Sequence, residues 1–527
     1  MKMKSVMNHS FAKAPTVTTP RSVFNRSHGF KSTFDAGYLV PIFNDLAIPG
    51  DSMQLNVTGF GRLSTPTYPI MDNMIMDTFF FAVPIRLIWD NFKKQMGEQV
   101  DPGDSISYAC PQITLNNVSN ETLYDYFGFP TKIAANYTVN NFLGRSYNLI
   151  YNEWFRDQNL QDSVVVDKDD GPDSIADYVL LRRNKRHDYF TSCLPQLQKG
   201  DAVQLSLGTQ APVTGFGAEN QTWTAGPTGV YETDGTGSTS YASQKQVYGV
   251  AANNSLYVEE DPSNTGYPNV RADLANATAS TVNELRQAIQ VQRLLERDMR
   301  SGTRYIEIVK SHYGVVSDDA RHQRPEYLGG GSTPINISPV ARTDSSPGAL
   351  GAVGTMQFRG HGFSKSFTEH CIVIGLASIR ADLNYQEGIE RWHDIQTRYD
   401  WYWPSLAHLG EMPVLNREIY IDAATIGAGT DDDVFGYQER FADLKYKPSK
   451  ITGKLRSNDA ASLDAWHLAV EFGATPTLDD TFIQENPPVD RVIVTPTEPH
   501  FIYDSYLNYR HTRPLPVYSI PGFIDHF

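Results

Sequence analysis

Hydrophobic and polar positions first alternate strictly near the start of the chain. Met53, Leu55 and Val57 are interleaved with Gln54, Asn56 and Thr58, the period-2 pattern of a strand with one buried face. Residues 76–83 (MDTFFFAV) form a largely apolar run closed by Pro84, as expected of a buried strand. The period then changes. Ile85, Ile88, Trp89, Phe92 and Met96 recur at helical spacing behind Pro84, where a missing N–H costs a helix nothing. A second helix is predicted over 140–156, with Leu143, Tyr147, Ile150 and Trp154 on one stripe. A third is predicted to start at a capping box of Thr281 with Glu284, run to Arg300 and stop at Gly302. Residues 371–379 (CIVIGLASI) read as a central buried strand and 489–496 (VDRVIVTP) as another.

These strands are scattered along 527 residues and do not alternate with helices at βαβ spacing. The pattern therefore predicts a mainly β protein, an antiparallel sandwich with large loop and helical insertions between strands. A jelly roll is a scaffold that carries such insertions.

Two stretches differ from the rest. Residues 1–34 contain Lys2, Lys4, Lys13, Arg21, Arg26 and Lys31 and no acidic residue, which reads as an extended basic arm facing an anionic partner or as an unattached terminus. Residues 201–275 are rich in Gly, Ser, Thr, Ala and Asn, with Lys245 and Arg271 set against eight acidic residues. They also carry Phe216, Trp223, Tyr231, Tyr241, Tyr248, Tyr257 and Tyr267. Disordered linkers are poor in aromatics, so a projecting surface insertion is expected, with a flexible loop as the alternative.

A net charge of −15 excludes nucleic-acid binding over the whole surface, and any such contact must be local. One local candidate is 440–456, where Arg440, Lys445, Lys447, Lys450, Lys454 and Arg456 surround Tyr446. It reads as a contact to anions such as phosphate, or as a belt of ion pairs. Another is Arg182, Arg183, Lys185 and Arg186 before His187, a solvated helix end or loop, or else a phosphate or subunit contact. Cys110, Cys193 and Cys371 lie far apart, which fits a reducing cytoplasm and no metal site. The basic N-terminus lacks the apolar run of a secretory signal, and 371–379 is too short to span a bilayer, so no membrane insertion is expected.

The chain carries no G-x-S-x-G elbow, HExxH motif or dinucleotide fingerprint. Gly329-Gly330-Gly331-Ser332 lacks the Lys of a phosphate loop and reads as a turn or a close approach of backbones. His361 and His370 have no third ligand beside them and read as structural. The run from Asp167 to Asp173 places Gly171 one position early for a calcium loop and reads as an exposed acidic turn. Asp431, Asp432 and Asp433 read as a loop before a strand at Val434. No cofactor is expected. A β-sandwich carbohydrate-active enzyme stays as an alternative, and would need two carboxylates facing across a cleft.

Several strings resemble the major capsid protein of the Microviridae, on the gokushovirus branch. They are Arg300-Ser-Gly-Thr-Arg-Tyr305, Arg321-His-Gln-Arg-Pro-Glu-Tyr-Leu-Gly-Gly330 continued by Gly331-Ser-Thr-Pro334, and Ser366-Phe-Thr-Glu-His370. Further on come Tyr399-Asp-Trp-Tyr-Trp-Pro404, His408-Leu-Gly-Glu411, Phe435-Gly-Tyr-Gln-Glu-Arg440 and Tyr446-Lys-Pro-Ser-Lys-Ile-Thr-Gly-Lys454. Order is preserved over essentially the whole chain. The resemblance implies an eight-stranded antiparallel viral jelly roll building a T=1 shell around circular single-stranded DNA, in a virion assembled in the cytoplasm of a bacterial host. It implies an internal arm (1–34), a first jelly-roll part (35–200), a variable insertion (201–275) forming a three-fold spike with Trp223, Tyr231, Tyr241 and Tyr248, and the remaining roll with a C-terminal segment (276–527). Implied partners are copies of the chain, packaged DNA, an internal DNA-binding protein, a DNA pilot protein, an internal scaffolding protein during assembly and a host-cell surface receptor. A spike or receptor-binding protein of the same particle is the alternative. Physically, four aromatics within 399–404 are too many for one solvent-facing loop, so that segment is expected in the core or in an interface.

Overall fold

The computed structural model describes residues 20–204, 281–342, 350–421 and 430–518, with the short strands 213–214, 216–217, 257–258 and 271–272. Nine strands make the main sheet: β1 (Ser22–Asn25), β2 (His28–Phe34), β3 (Val40–Ala47), β4 (Ser52–Leu63), β5 (Met74–Pro84), β6 (Glu326–Ala341), β7 (Leu350–Ser366), β8 (Cys371–Ala381) and β9 (Phe501–Arg513). Their order is β1-β9-β4-β7-β6-β5-β8-β3, and β2 also pairs with β9. Every pairing is antiparallel. Strands β2-β9-β4-β7 and β3-β8-β5-β6 are the two four-stranded halves of a jelly roll, joined where β6 pairs with β7. Strand β1 continues the edge that β2 begins.

The core lies between the halves. Along β4 the buried positions are Met53, Leu55, Val57, Gly59, Gly61 and Leu63, the face that the alternation predicted. They meet Phe34, Phe80, Met356, Phe358, Val373, Phe501 and Leu507. Strand β8 is buried at every position. Its second face, with that of β5, is covered by an inserted layer in which Phe81, Val83, Ile372, Ile374 and Leu376 pack on Tyr124, Tyr147 and Ile150. That double burial explains continuous apolar runs where β4 alternates. Each such side chain contributes about 1.5–3 kcal/mol of burial.

Helix α1 (Phe142–Ile150), with a π-helical turn at Tyr151–Phe155, fills the predicted span 140–156. Helix α2 (Val282–Ser301) starts at the predicted capping box, where the Thr281 N–H reaches Glu284 Oε2 at 2.7 Å and the Glu284 N–H reaches Thr281 Oγ1 at 3.2 Å. Helix α3 (Tyr305–Tyr313), which the pattern did not announce, ends at a left-handed Gly314. Two compact units divide the chain, 198–300 and the remainder. Among its described residues the smaller unit holds α2 and the pairings of 216–217 with 257–258 and 213–214 with 271–272.

Four expectations are corrected. Residues 22–34 are strands, not arm, because Phe24, Phe30 and Phe34 turn inward and the backbone finds a free edge on β9. The helix after Pro84 is only a 3₁₀ turn (Ile85–Leu87) and a short helix (Phe92–Gln95), since the Ile88 carbonyl accepts from Arg145 Nη1 at 3.0 Å instead of a helical N–H. Residues 489–496 form no strand. Pro487, Pro488 and Pro496 withhold ladder donors, and a 3₁₀ turn (Val489–Arg491) buries Val489 and Val492 instead. Gly329, Gly330 and Gly331 lie within β6, not in a turn, and backbones do approach there: a Cβ on Gly330 would sit 2.0 Å from the Thr78 carbonyl.

Candidate assembly and nucleic-acid surfaces

A hairpin of Glu411–Leu415 with Val434–Glu439 supports a third apolar cluster, including Tyr189, Phe190, Met412, Val414 and Phe435. Buried Glu418 accepts from Tyr189 Oη at 2.7 Å, Arg391 Nη1 at 2.9 Å and the Leu415 N–H at 3.0 Å. Burial raises its pKa above the carboxylate range despite those donors. From Arg391, anchored in this way, the chain runs out into the aromatic segment.

That segment is on the surface. Tyr399 is 69% exposed, Trp401 59%, Tyr402 53% and Trp403 40%, and Trp392 nearby is also exposed. The intrachain-core reading is therefore overturned. The loop is nonetheless ordered by its own bonds: Asp400 accepts the Thr397 N–H at 2.7 Å and the Gln396 N–H at 3.1 Å, which holds its carboxyl below the usual range. Trp403 Nε1 donates to the Arg398 carbonyl at 2.9 Å, and the Arg398 guanidinium lies 5.2 Å from the Trp403 ring centre. Exposed Trp and Tyr rings on a bonded loop are the composition of an interface hot spot.

The basic stretch borders this surface. Glu390 takes Lys447 at 2.5 Å and Lys450 at 2.7 Å, and these bonds hold its pKa at about 2. Lys445 pairs with Glu439 at 2.7 Å, and Lys454 is exposed. Three of the four lysines thus have partners within the chain. The lysine ends of these pairs are exposed, so a phosphate can reach them.

Other candidates are placed as follows. Lys2, Lys4, Lys13, Trp223, Tyr231, Tyr241 and Tyr248 lie outside the described residues. Arg21 donates to the Gly50 carbonyl at 2.7 Å, Arg26 pairs with Asp45, and Lys31 lies 3.1 Å from Asp504. The run 182–187 is largely internal. Arg182 sits 4.0 Å above the Tyr38 ring, Arg183 pairs with Asp77, and Lys185 Nζ donates to the Phe482 carbonyl at 2.6 Å. Only Arg186 and His187 are left exposed. The 167–173 stretch is more than an acidic turn, because Asp169 and Asp173 hold the fully buried Arg145. His361 is structural: it contacts Thr78 Oγ1 at 3.0 Å and Thr333 Oγ1 at 3.2 Å, and burial lowers its pKa. His370 packs edge-on against Phe92. Among the described residues no cluster of three or more ligands could hold a metal. No described helix is long and apolar enough to cross a membrane.

Comparison with known proteins gives one consistent result. Residues 12–523 match the family described as "Capsid protein (F protein)". Capsid protein VP1 of Bdellovibrio phage phiMH2K is 45% identical, with both chains covered completely. Capsid protein VP1 of Chlamydia phage 1 is 42% identical over 99% of this chain and 98% of the relative. That of Spiroplasma virus 4 is 35% identical over 98% and 97%.

Proposed function

The chain belongs to the phage capsid (F protein) family, as a Microviridae capsid protein of the gokushovirus type and not an enzyme, and from that premise we propose that it is the major subunit of a T=1 shell around a circular single-stranded DNA genome. The observation that carries this reading is the exposed aromatic surface at 399–403. A subunit that met only solvent would gain nothing by exposing three such rings in sequence, whereas one that meets copies of itself buries them repeatedly. Many modest contacts per subunit then give a closed, stable particle.

The virion is its location, and assembly belongs in the bacterial cytoplasm, with Cys110, Cys193 and Cys371 all free thiols. The inward basic arm shortens to residues 1–20, because 22–34 belong to the roll. Residues 201–275 are the three-fold surface spike that meets the host receptor. The internal DNA-binding, pilot and scaffolding proteins are partners on the inner side. Neutralising packaged DNA falls to local cations, since the chain as a whole is acidic.

Expression of the chain, alone and with its internal partners, followed by sedimentation and electron microscopy, tests this. Closed particles holding nuclease-resistant single-stranded DNA are expected. A monodisperse monomer under every assembly condition would overturn it.

A further inference from the structure

The jelly-roll half β2-β9-β4-β7 has one face in the core, and among the described residues the other is open. Along β9 the outward positions are Ile502, Asp504, Tyr506, Asn508 and Arg510; along β4 they are Gln54, Asn56, Thr58, Phe60 and Arg62. Register sets them side by side. Lys31, Asp504, Phe60 and Gln357 form one row across four strands, and Tyr506, Thr58 and Arg359 form the next. Ile502 and Arg62 flank the first row.

Phe60 is 50% exposed and Tyr506 55%. They stand on adjacent strands, offset by two residues, a separation of about 7–8 Å in sheet geometry. Glycines isolate the first ring. A Cβ on Gly59 would strike the Phe358 ring at 2.3 Å and one on Gly61 would strike Met356 Cε at 2.0 Å, so the inner face fixes the backbone beneath Phe60. Beside the rings lie Lys31, Arg62 and Arg359, and Arg510 follows about 13 Å farther along β9 from Tyr506, all exposed. The sole carboxylate in these rows is Asp504, taken by Lys31. Among the described residues no carboxylate pairs with Arg62, Arg359 or Arg510. In a chain of net charge −15 this is a locally positive strip, with Glu121 at its Thr33 edge. Gln54, Asn56, Asn508 and Gln357 between the cations are too polar for a dry protein interface.

We propose that this face is a binding platform for single-stranded DNA, with bases stacked on Phe60 and Tyr506 and phosphates held by Arg62, Arg359 and Arg510. The proposal rests on the shell reading and assigns the contact to a surface other than the 440–456 stretch. Aromatic rings on neighbouring strands of an open sheet, ringed by cations, bind unpaired strands without regard to sequence, because every base offers a π-face. Lys31 serves as a reserve cation, its exposed bond to Asp504 being weak enough to yield to phosphate.

Ultraviolet cross-linking of DNA-filled particles, followed by peptide mapping, should put nucleotide adducts on the peptides holding Phe60 and Tyr506. In parallel, the purified subunit is titrated with oligodeoxythymidine. Phe60→Ala and Tyr506→Ala should each weaken binding roughly ten-fold. Arg62→Gln with Arg359→Gln should cut the salt dependence by about two ions. Thermal unfolding should not move in any of these variants, since the side chains are exposed. Wild-type affinity in the Phe60→Ala/Tyr506→Ala variant, or adducts confined to 440–456 in filled particles, overturns the platform and leaves the shell reading intact. Variants that bind oligonucleotide normally yet form no particles would make the face a subunit contact and overturn it likewise. A wild-type chain that never closes into particles is the distinct failure of the shell reading.

Discussion

His511 Nε2 lies 2.8 Å from Asp51 Oδ2, with both side chains shut off from solvent, 460 positions apart in sequence. Arg26 Nη1, which can only donate, is 3.0 Å from His511 Nδ1, so Nδ1 accepts and the proton sits on Nε2, pointing at Asp51. Arg513 adds bonds to the same Asp51 oxygen at 3.0 Å. The cluster ties the β1–β2 link, the β3–β4 turn and the end of β9 together.

That bond makes one corner of the roll acid-sensitive. Burial, helped by Arg513, lowers the His511 pKa below 6.5 in spite of Asp51. Between the lowered value and about 6.5 the unfolded chain holds more protons, so this group's stability is complete above about 6.5 and is lost as pH falls below it. Burial pushes Asp51 upward, but bonds from Arg513, the Ile48 N–H and His511 outweigh it, so its contribution disappears only at still lower pH. Buried Glu418 and Glu485, both raised, act in the opposite sense. The measurement is therefore a difference: the stability gap between wild type and His511→Gln, by denaturant unfolding, should narrow on going from about pH 7.5 to about 5.5.

Arg145 gives the largest expected loss. Its guanidinium is buried between Asp173, the Ile88 carbonyl and the Asp169 carbonyl, with Nε 2.8 Å from Asp173 Oδ2. Arg145→Met strands a buried carboxylate and should cost about 3–5 kcal/mol in chemical denaturation. Adding Asp173→Leu should recover part of that loss, and no recovery would mean that packing rather than charge dominates.

For the exposed rings, folding and assembly should separate. Trp401→Ala with Trp403→Ala should leave the subunit's melting temperature nearly unchanged, because neither ring is buried within the chain. Each contact should weaken by about 2 kcal/mol, roughly thirty-fold, and light scattering should show a raised concentration threshold for particles.

Truncation separates arm from roll. Removing residues 1–19 should lower packaged DNA, read from the absorbance ratio of particles, and spare the fold. Removing 1–34 also deletes β1 and β2, exposes the edge of β9 and should destabilise the subunit or aggregate it.

Gly330→Ala should cost about 1–3 kcal/mol, because the Thr78 carbonyl in the facing strand cannot move aside. Gly103→Ala, with open space around it, is the neutral control in the same melting assay.

Local patterns carried much of the fold. The alternation at 53–58, the apolar runs at 76–83 and 371–379, and the Thr281–Glu284 capping box all became the predicted elements, because period and capping are properties of neighbouring residues. The pattern at 489–496 misled because apolar content alone does not distinguish a strand from a buried turn between prolines. The basic residues were visible, but their partners were not: Glu390 meets Lys447 and Lys450, and Asp45 meets Arg26, only once the chain has turned back on itself.

A mainly β chain with insertions, an acidic body with local basic stretches, and the strings that mark the family are all legible in the order of residues. Folding alone reveals that residues 22–34 are strands, that 399–403 is exposed, and that Phe60 and Tyr506 share a sheet face. The difference is one of range. Periodicity and capping act over a few residues, whereas strand register and ion pairing join positions up to hundreds apart, and which side of a residue meets water follows from those distant partners.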